Sequence, residues 1–352
     1  MSTRIGVHGL GRIGTMHARN LARAAGVDEV VLIGRDAGRL EGAEERLASL
    51  RAEDENGKKG DGGRWAPVSS TLDPLEDVLP GLDGLLAATA TSTHESIART
   101  VARAGVPLLI EKPLSLGSES LASLSSELEA TGTPIMVAFH RRYDPGYQGL
   151  RRRVEAGDVG TLRHVHAVDN DHYALPLDYI PQSHGMWLDL MIHDFDIIPW
   201  VVGEEITEVT VLGSVLDEPV HAENADADTA VVALRFASGA VGTVAALRRS
   251  GAGQDVRLEV TGTDGAFGAG WGRSTPITST EPGEPAPSGV PDTFADRFVP
   301  AFEAEVDHFV RMVRGEVESL TPPRAGLHAT AVAEAAGESF RRGGAVRVRP
   351  TA

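Results

Sequence analysis

The chain has 352 residues, 41% of them hydrophobic and 24% charged, which is enough apolar material for a packed core and, at about 100–200 residues per domain, for two domains. The 33 Lys and Arg against 50 Asp and Glu leave a net charge of −17, a surface that repels nucleic-acid backbones and anionic lipid. With no cysteine, disulfides, thiolate nucleophiles and thiolate-held metals are excluded, so any chemistry falls to His, Lys, Asp, Glu, Ser or a bound cofactor.

No basic stretch leads into an apolar segment at the start, and no run approaches the ~18 apolar residues of a membrane span, so a soluble cytoplasmic protein is expected. Arg4 to Gly9 reads as a strand, His17 to Ala25 as a helix and Glu29 to Ile33 as a buried strand, which together make a βαβ unit. Residues 51–64, mixing charges with glycine, read as an exposed loop. The alternation continues through strands at 84–88, 106–110 and 134–138 and helices at 93–104 and 121–130, the rhythm of a doubly wound parallel sheet.

Beyond about residue 150 the pattern changes to period-two runs at 162–168, 208–215, 229–236, 241–247 and 256–260, which predict one large, mostly antiparallel open sheet. Thr275 to Pro291 reads as a loop, and the stripes at Phe302, Val306, Phe309, Val310 and Val313 and at Leu327, Ala331, Val332 and Ala335 as core-packing helix faces. The expected fold is α/β: a Rossmann dinucleotide-binding domain over 1–138, then an α+β substrate-binding and oligomerisation domain over 139–352 whose last helices can pack back on the first domain. Val and Leu on both faces of several runs predict that the second sheet packs on another subunit, as a homodimer or homotetramer.

Three constellations carry chemistry. In Gly9-Leu10-Gly11-Arg12-Ile13-Gly14 the first glycine permits a tight turn, the second lets backbone approach a pyrophosphate and the third allows close helix–sheet packing, with helix amides facing the phosphates. At the end of the second strand, Gly34 leaves room for a 2′-phosphate and Arg35 can pair with it, which favours NADP over NAD; Asp36, turned inward, would restore ribose recognition. Glu111-Lys112-Pro113 follows a strand end, where a cation can stabilise a developing alkoxide. Trp187 to Asp196, read as one helix, puts Asp189, His193 and Asp196 on one stripe, where a carboxylate one turn from a histidine suits proton exchange with a hydroxyl. Metal ligation by these three is the poorer reading, because adjacent helical turns rarely complete a coordination shell, and no metal is expected.

The glycine loop, the EKP triplet and the Asp189/His193 segment, in this order and at these separations, resemble the Gfo/Idh/MocA oxidoreductase family over nearly the whole chain. Ala88-Thr89-Ala90-Thr91-Ser92-Thr93-His94 is similar to the family's ATPT-x-x-H cofactor loop, and Phe139-His140-Arg141-Arg142-Tyr143-Asp144 to its RRFD-type segment. Tyr179-Ile180, Ser183-His184-Gly185, Ile192-His193-Asp194-Phe195-Asp196 and Asp296-Arg297-Phe298 are most similar to the inositol 2-dehydrogenases of that family. The resemblance implies Lys112, Asp189 and His193 as the catalytic set. It adds Thr89, Thr91, His94, Glu111 and Lys112 to the cofactor contacts, and His140, Arg141 and Asp171 to the substrate contacts. His184 stands where the family's SGG segment has its second glycine, and Gln254 where an aromatic would line the polyol pocket.

The expected activity is hydride transfer between NAD(P) and a secondary hydroxyl of a cyclic polyol or sugar, with a small-molecule substrate and no nucleic-acid or membrane partner. His193 is read as general base, Asp189 as its orienting carboxylate and Lys112 as the alkoxide partner. The alternatives are a non-catalytic NAD(P)-binding regulator of the same fold and a dehydrogenase of acidic or nucleotide-linked sugars, for which Arg141 would be the anion contact.

Overall fold

Six short strands in the amino-terminal part pair as a single parallel sheet: β1 (Arg4–His8), β2 (Glu29–Ile33), β3 (Val68–Thr71), β4 (Gly84–Ala87), β5 (Leu108–Ile110) and β6 (Ile135–Val137). Their order is β3-β2-β1-β4-β5-β6. The chain therefore leaves β1 in one direction through β2 and returns on its other side at β4, and the crevice beyond the carboxyl ends of β1 and β4 is the place where such sheets take ligands. This is a computed structural model describing residues 3–56 and 65–351. The edge strand β3 escapes sequence reading because only Val68 in it is apolar and none of its four residues is buried.

The chain divides into two compact units, Met1–His140 with Phe302–Gly326, and Arg141–Ala301 with Leu327–Ala352. In the first, the returning segment closes the core. A Cβ added at Gly84 would lie 2.7 Å from Val313 and 3.2 Å from Phe309, so the helix Val299–Val313 seats directly on β4 with these residues. The Val137 amide donates to the Thr321 carbonyl at 2.8 Å. Residues 51–56, expected as loop, instead extend the helix Ala37–Asn56, in which Arg19 of the neighbouring helix pairs with Asp54. Residues 57–64 of that expected loop lie outside the described residues.

The second unit carries β7 (Leu162–Asn170), β8 (Ile206–Ser214), β9 (Thr229–Phe236), β10 (Val241–Leu247), β11 (Asp255–Gly262), β12 (Ala266–Ala269) and β13 (Ala345–Arg347). They form one sheet in the order β12-β11-β7-β10-β9-β8-β13, antiparallel except for the β7–β10 pair. The helices Leu327–Arg342 and Ile192–Val202 pack together, and the first of them lies on β8. Alternation is clear in β9, where Ala230, Val232, Leu234 and Phe236 are buried while Val231 is 43% exposed; Leu212 of β8 and Val241 of β10 are likewise exposed on the outer face.

The single helix expected over Trp187 to Asp196 is two, Met186–Asp189 and Ile192–Val202. At the break, the Met191 amide reaches the Met186 carbonyl five residues back, at 2.9 Å. The continuous stripe of Asp189, His193 and Asp196 is thereby interrupted, and Asp196 is buried on Arg142 at 3.0 and 2.5 Å. Among the described residues no helix is long and apolar enough to cross a membrane.

Candidate active site

In the first unit the glycine loop joins β1 to the helix Arg12–Arg23. Gly9 has φ +97°, and an added Cβ there would lie 2.4 Å from the Ala88 carbonyl oxygen. At Gly14 it would lie 1.8 Å from the Gly9 oxygen, so only hydrogen fits between helix and loop. Gly11 differs: it is the N-cap residue at φ −73°, no side chain caps the helix, and a Cβ there would meet nothing within 4 Å. Open space over uncapped amides is what a dinucleotide pyrophosphate requires, with Leu10, Arg12 and Ile13 forming the rest of the turn. The residues present thus fit a nicotinamide dinucleotide.

At the end of β2, Gly34 packs on Leu40 and Arg35 is exposed. Asp36 accepts the Arg39 amide on Oδ1 at 2.9 Å, capping the helix Ala37–Asn56. Beyond β4, the Thr89 and Thr93 hydroxyls bond at 2.8 Å and Thr91 opens a short 3₁₀ turn. His94, expected at the cofactor, is buried with Nδ1 2.8 Å from the Pro113 carbonyl and Nε2 3.1 Å from that of Thr89. It braces the loop after β4 against the loop after β5, holding Thr89 and Lys112 in place rather than presenting its own ring.

Glu111 and Lys112 follow β5. Burial works to raise the Glu111 carboxyl, but the His17 ring, 3.0 Å from Oε1, and the Lys112 and His94 charges hold it below the ordinary range. The Lys112 amide donates to Glu111 Oε2 at 3.2 Å, fixing the lysine backbone beside a carboxylate. Glu305, on the helix Val299–Val313, is fully buried and neither oxygen has a hydrogen-bond partner among the described residues. Burial, then the Glu111 charge, pushes its carboxyl well up, toward the neutral acid. His140, expected at the substrate, is buried and stacked on Phe302 at 4.4 Å, a packing role.

The second unit gathers polar residues at one end of its sheet. Asn170 of β7 pairs with Leu247 of β10 and Asp255 of β11, so Asp171, Arg248 and Gln254 come to the same edge. Each continues the inward phase of its strand: Val165, Ala167 and Asp169 before Asp171; Gly242, Val244 and Ala246 before Arg248; Gln254 before Val256 and Leu258. Gln254 Nε2 donates to Asp171 Oδ1 at 3.1 Å. Arg248 Nη1 donates to Asp189 Oδ2 at 2.7 Å, and the Tyr179 hydroxyl donates to Asp189 Oδ1 at 3.2 Å. His193 is the second residue of its helix and partly exposed.

Arg141, expected at the substrate, is engaged with carboxylates of its own unit. It is buried, with Nη2 on Asp169 at 2.6 Å and Nη1 on Asp194 at 2.9 Å, because a desolvated guanidinium needs carboxylates of its own. His184 has φ +63° ahead of Gly185 at +85°, so the position where the sequence suggested a missing glycine does hold left-handed backbone. The turn is pinned by Asp226, which accepts the Met186 amide at 2.7 Å and faces His221 Nδ1 at 3.0 Å. Sequence reading missed Arg248 and Glu305. A charge on the inward phase of β10, and a carboxylate inside the stripe of Phe302, Val306 and Phe309, were the available signals.

Asp171 is pushed up to about 6, chiefly by burial and then by the Asp169 charge. A raised folded-state value means the ionised carboxylate opposes folding above about pH 6, whereas below the unfolded-state value near 4 both states are protonated and the effect is absent. Asp171→Asn, which keeps the acceptor for Gln254, is expected to stabilise the protein at pH 8 by up to about 2–3 kcal/mol and to leave it unchanged near pH 3.5. Urea unfolding at the two pH values measures the difference.

The profile of the oxidoreductase family with an NAD-binding Rossmann fold matches residues 3–139, and that of the GFO/IDH/MocA C-terminal domain matches residues 147–268. The chain is 35% identical to scyllo-inositol 2-dehydrogenase (NAD(+)) of Bacillus subtilis (strain 168) over 97% of its own length and 94% of that protein's. The crystal structure of a probable dehydrogenase from Thermotoga maritima aligns with a TM-score of 0.83 at 30% identity, covering 98% of each chain. That of a putative myo-inositol dehydrogenase from Sinorhizobium meliloti 1021 aligns at 0.83 and 27%, covering 99% of this chain and 100% of the other. With both halves matched and the glycine loop, EKP strand end and Asp189–His193 segment in place, the chain belongs to the Gfo/Idh/MocA family of oxidoreductases.

Proposed function

We propose that the protein oxidises a secondary hydroxyl of a cyclic polyol of the inositol type, reversibly, with a nicotinamide dinucleotide. The observation that carries the reading is the lining of the second unit's sheet end, where Asp171, Asp189 and Tyr179 offer hydroxyl-matching groups and Arg248 is paired with Asp189. An acidic or nucleotide-linked sugar needs a positive contact, and Arg141, the candidate for it, is spent on Asp169 and Asp194.

Gly9, Gly11 and Gly14 with the helix amides would hold the pyrophosphate, and Thr89, Thr91, Glu111 and Lys112 would line the nicotinamide side. The bound dinucleotide supplies the hydride acceptor. His193 takes the hydroxyl proton, Lys112 stabilises the alkoxide oxygen until the C–H bond breaks, and Asp189 orients the imidazole. The product is the corresponding ketone, and the reverse sequence reduces it. A panel of inositols, aldoses and sugar acids, followed by absorbance of the reduced cofactor, tests the reading. Turnover of neutral cyclic polyols is expected, and turnover of sugar acids alone overturns it. Tight cofactor binding with no turnover across the panel would instead identify a regulator.

NADP is the cofactor we favour over NAD. Gly34 is small, Arg35 is exposed beside it, and one oxygen of Asp36 is engaged in the helix cap. Arg35→Ala is expected to lower kcat/KM with NADP by about tenfold or more, the worth of a hydrogen bond to a charged group, while leaving that with NAD within about twofold. Equal losses with both cofactors would remove Arg35 from 2′-phosphate recognition.

The outer face of the seven-stranded sheet, with Leu212, Val231 and Val241 exposed, is proposed to pack on a second copy, as a homodimer or homotetramer. Sedimentation at micromolar concentration is expected to show an oligomer, and Val231→Lys to weaken it.

A further inference from the structure

We infer that Arg248 is a positioning residue of the reaction, a buried guanidinium that fixes the Asp189 carboxylate in one orientation through its Nη1. The inference rests on the polyol dehydrogenase reading above. Arg248 is 2% exposed and pairs with Asp189 Oδ2 at 2.7 Å, while the Tyr179 hydroxyl donates to the other oxygen at 3.2 Å. Asp226 and Asp171 also interact with the guanidinium through space. Its own amide donates to the Asp228 carbonyl at 2.8 Å, so backbone as well as side chain is anchored.

The arrangement is a poor one for stability. Nε and Nη2 are buried with no acceptor among the described residues, and a buried ion pair as a whole can often be replaced by apolar side chains without loss of stability. What an apolar residue cannot do is hold a carboxylate ionised and immobile. Asp189 ends the short helix Met186–Asp189, and the break before the helix Ile192–Val202 leaves its direction undetermined by helix geometry. The two donors from outside, Arg248 after β10 and Tyr179, supply that direction. A carboxylate held in this way keeps its charge when the neighbouring imidazole gains a proton in the reaction.

Arg248→Met, Arg248→Lys, Asp189→Asn and the double variant Arg248→Met/Asp189→Asn test the inference, with thermal unfolding of each to show that it folds. Arg248→Met is expected to lower kcat by about 10- to 100-fold with KM changed less than about threefold, and Arg248→Lys to recover part of the loss. The acid limb of the kcat profile should move up by about one pH unit in Arg248→Met, since a carboxylate that loses its cation is protonated sooner. If Arg248 acts through Asp189, the double variant is no slower than Asp189→Asn alone. Multiplying losses in the double variant, or an Arg248→Met enzyme with unchanged kcat and pH profile, overturns the inference. Should the wild-type enzyme turn over no polyol, the functional reading fails by itself. The positioning role is then decided by a carboxyl ¹³C titration of Asp189, whose midpoint rises by about one pH unit in Arg248→Met if Arg248 holds it and stays put if it does not.

Discussion

His193→Asn is expected to lower kcat by about 10²- to 10⁴-fold, the usual worth of a positioned general base, while the dissociation constant of the reduced cofactor changes by less than about twofold. The imidazole is placed on the first turn of the helix Ile192–Val202 and partly exposed, and asparagine keeps a polar side chain there, with thermal unfolding as the check that the loss reports chemistry. Lys112→Met should cost a similar factor for a different reason. Its ammonium is the charge proposed above to stabilise the developing alkoxide, and methionine keeps the stem's volume but removes the charge. Because the two groups are assigned to the same oxygen, their losses should fall short of multiplying in the double variant. Stopped-flow single turnovers give the hydride step directly. Near-normal rates in both single variants would end the assignment.

Gly14→Ala and Gly11→Ala should separate in a way that no general weakening of the loop can mimic. At Gly14 the new methyl carbon would start 1.8 Å from the Gly9 carbonyl oxygen, and Gly9 is itself wedged against the Ala88 carbonyl. Neither atom belongs to a flexible side chain, so the helix Arg12–Arg23 must shift, costing about 1–3 kcal/mol or more even without cofactor. At Gly11 the methyl meets nothing within 4 Å, so the free protein should lose at most the roughly 1 kcal/mol by which glycine is preferred to alanine at a helix N-cap. Cofactor affinity, followed by fluorescence quenching, should nonetheless fall by about tenfold or more in Gly11→Ala, since the methyl would stand where the pyrophosphate is proposed to bind. Retained affinity there would move the phosphates elsewhere.

The periodicity of the sequence carried the two-sheet architecture well where strands are buried on both faces or alternate cleanly, as β2 and β9 do. It failed at sheet edges: β3, β12 and β13 are three or four residues long, with too few apolar positions to register a period. The break after Asp189 was invisible for another reason, since Leu190 and Met191 are good helix formers and only tertiary contacts divide the run. The turn geometry of contiguous motifs, such as Gly9 to Gly14, was legible because loop chemistry fixes their spacing. The burial of Arg141 and His140 could not be read in this way, because proximity to a motif says nothing about which way a side chain turns. Arg248 needed strand phase to be carried one step past the strand's end.

The return of Phe302–Gly326 to the amino-terminal unit has a bearing on biogenesis. Between His140 and Phe302 the ribosome must add the whole of Arg141–Ala301, roughly 10–30 s of elongation, before the parallel sheet receives the side chains that cover Gly84 and the carbonyl that Val137 bonds. During that interval the nascent amino-terminal portion is an unfinished body with an uncovered strand. Truncation at His140, a natural choice for expressing a nucleotide-binding fragment, should therefore yield aggregated material, and fusing residues 302–326 onto it through a flexible tether should recover a soluble one.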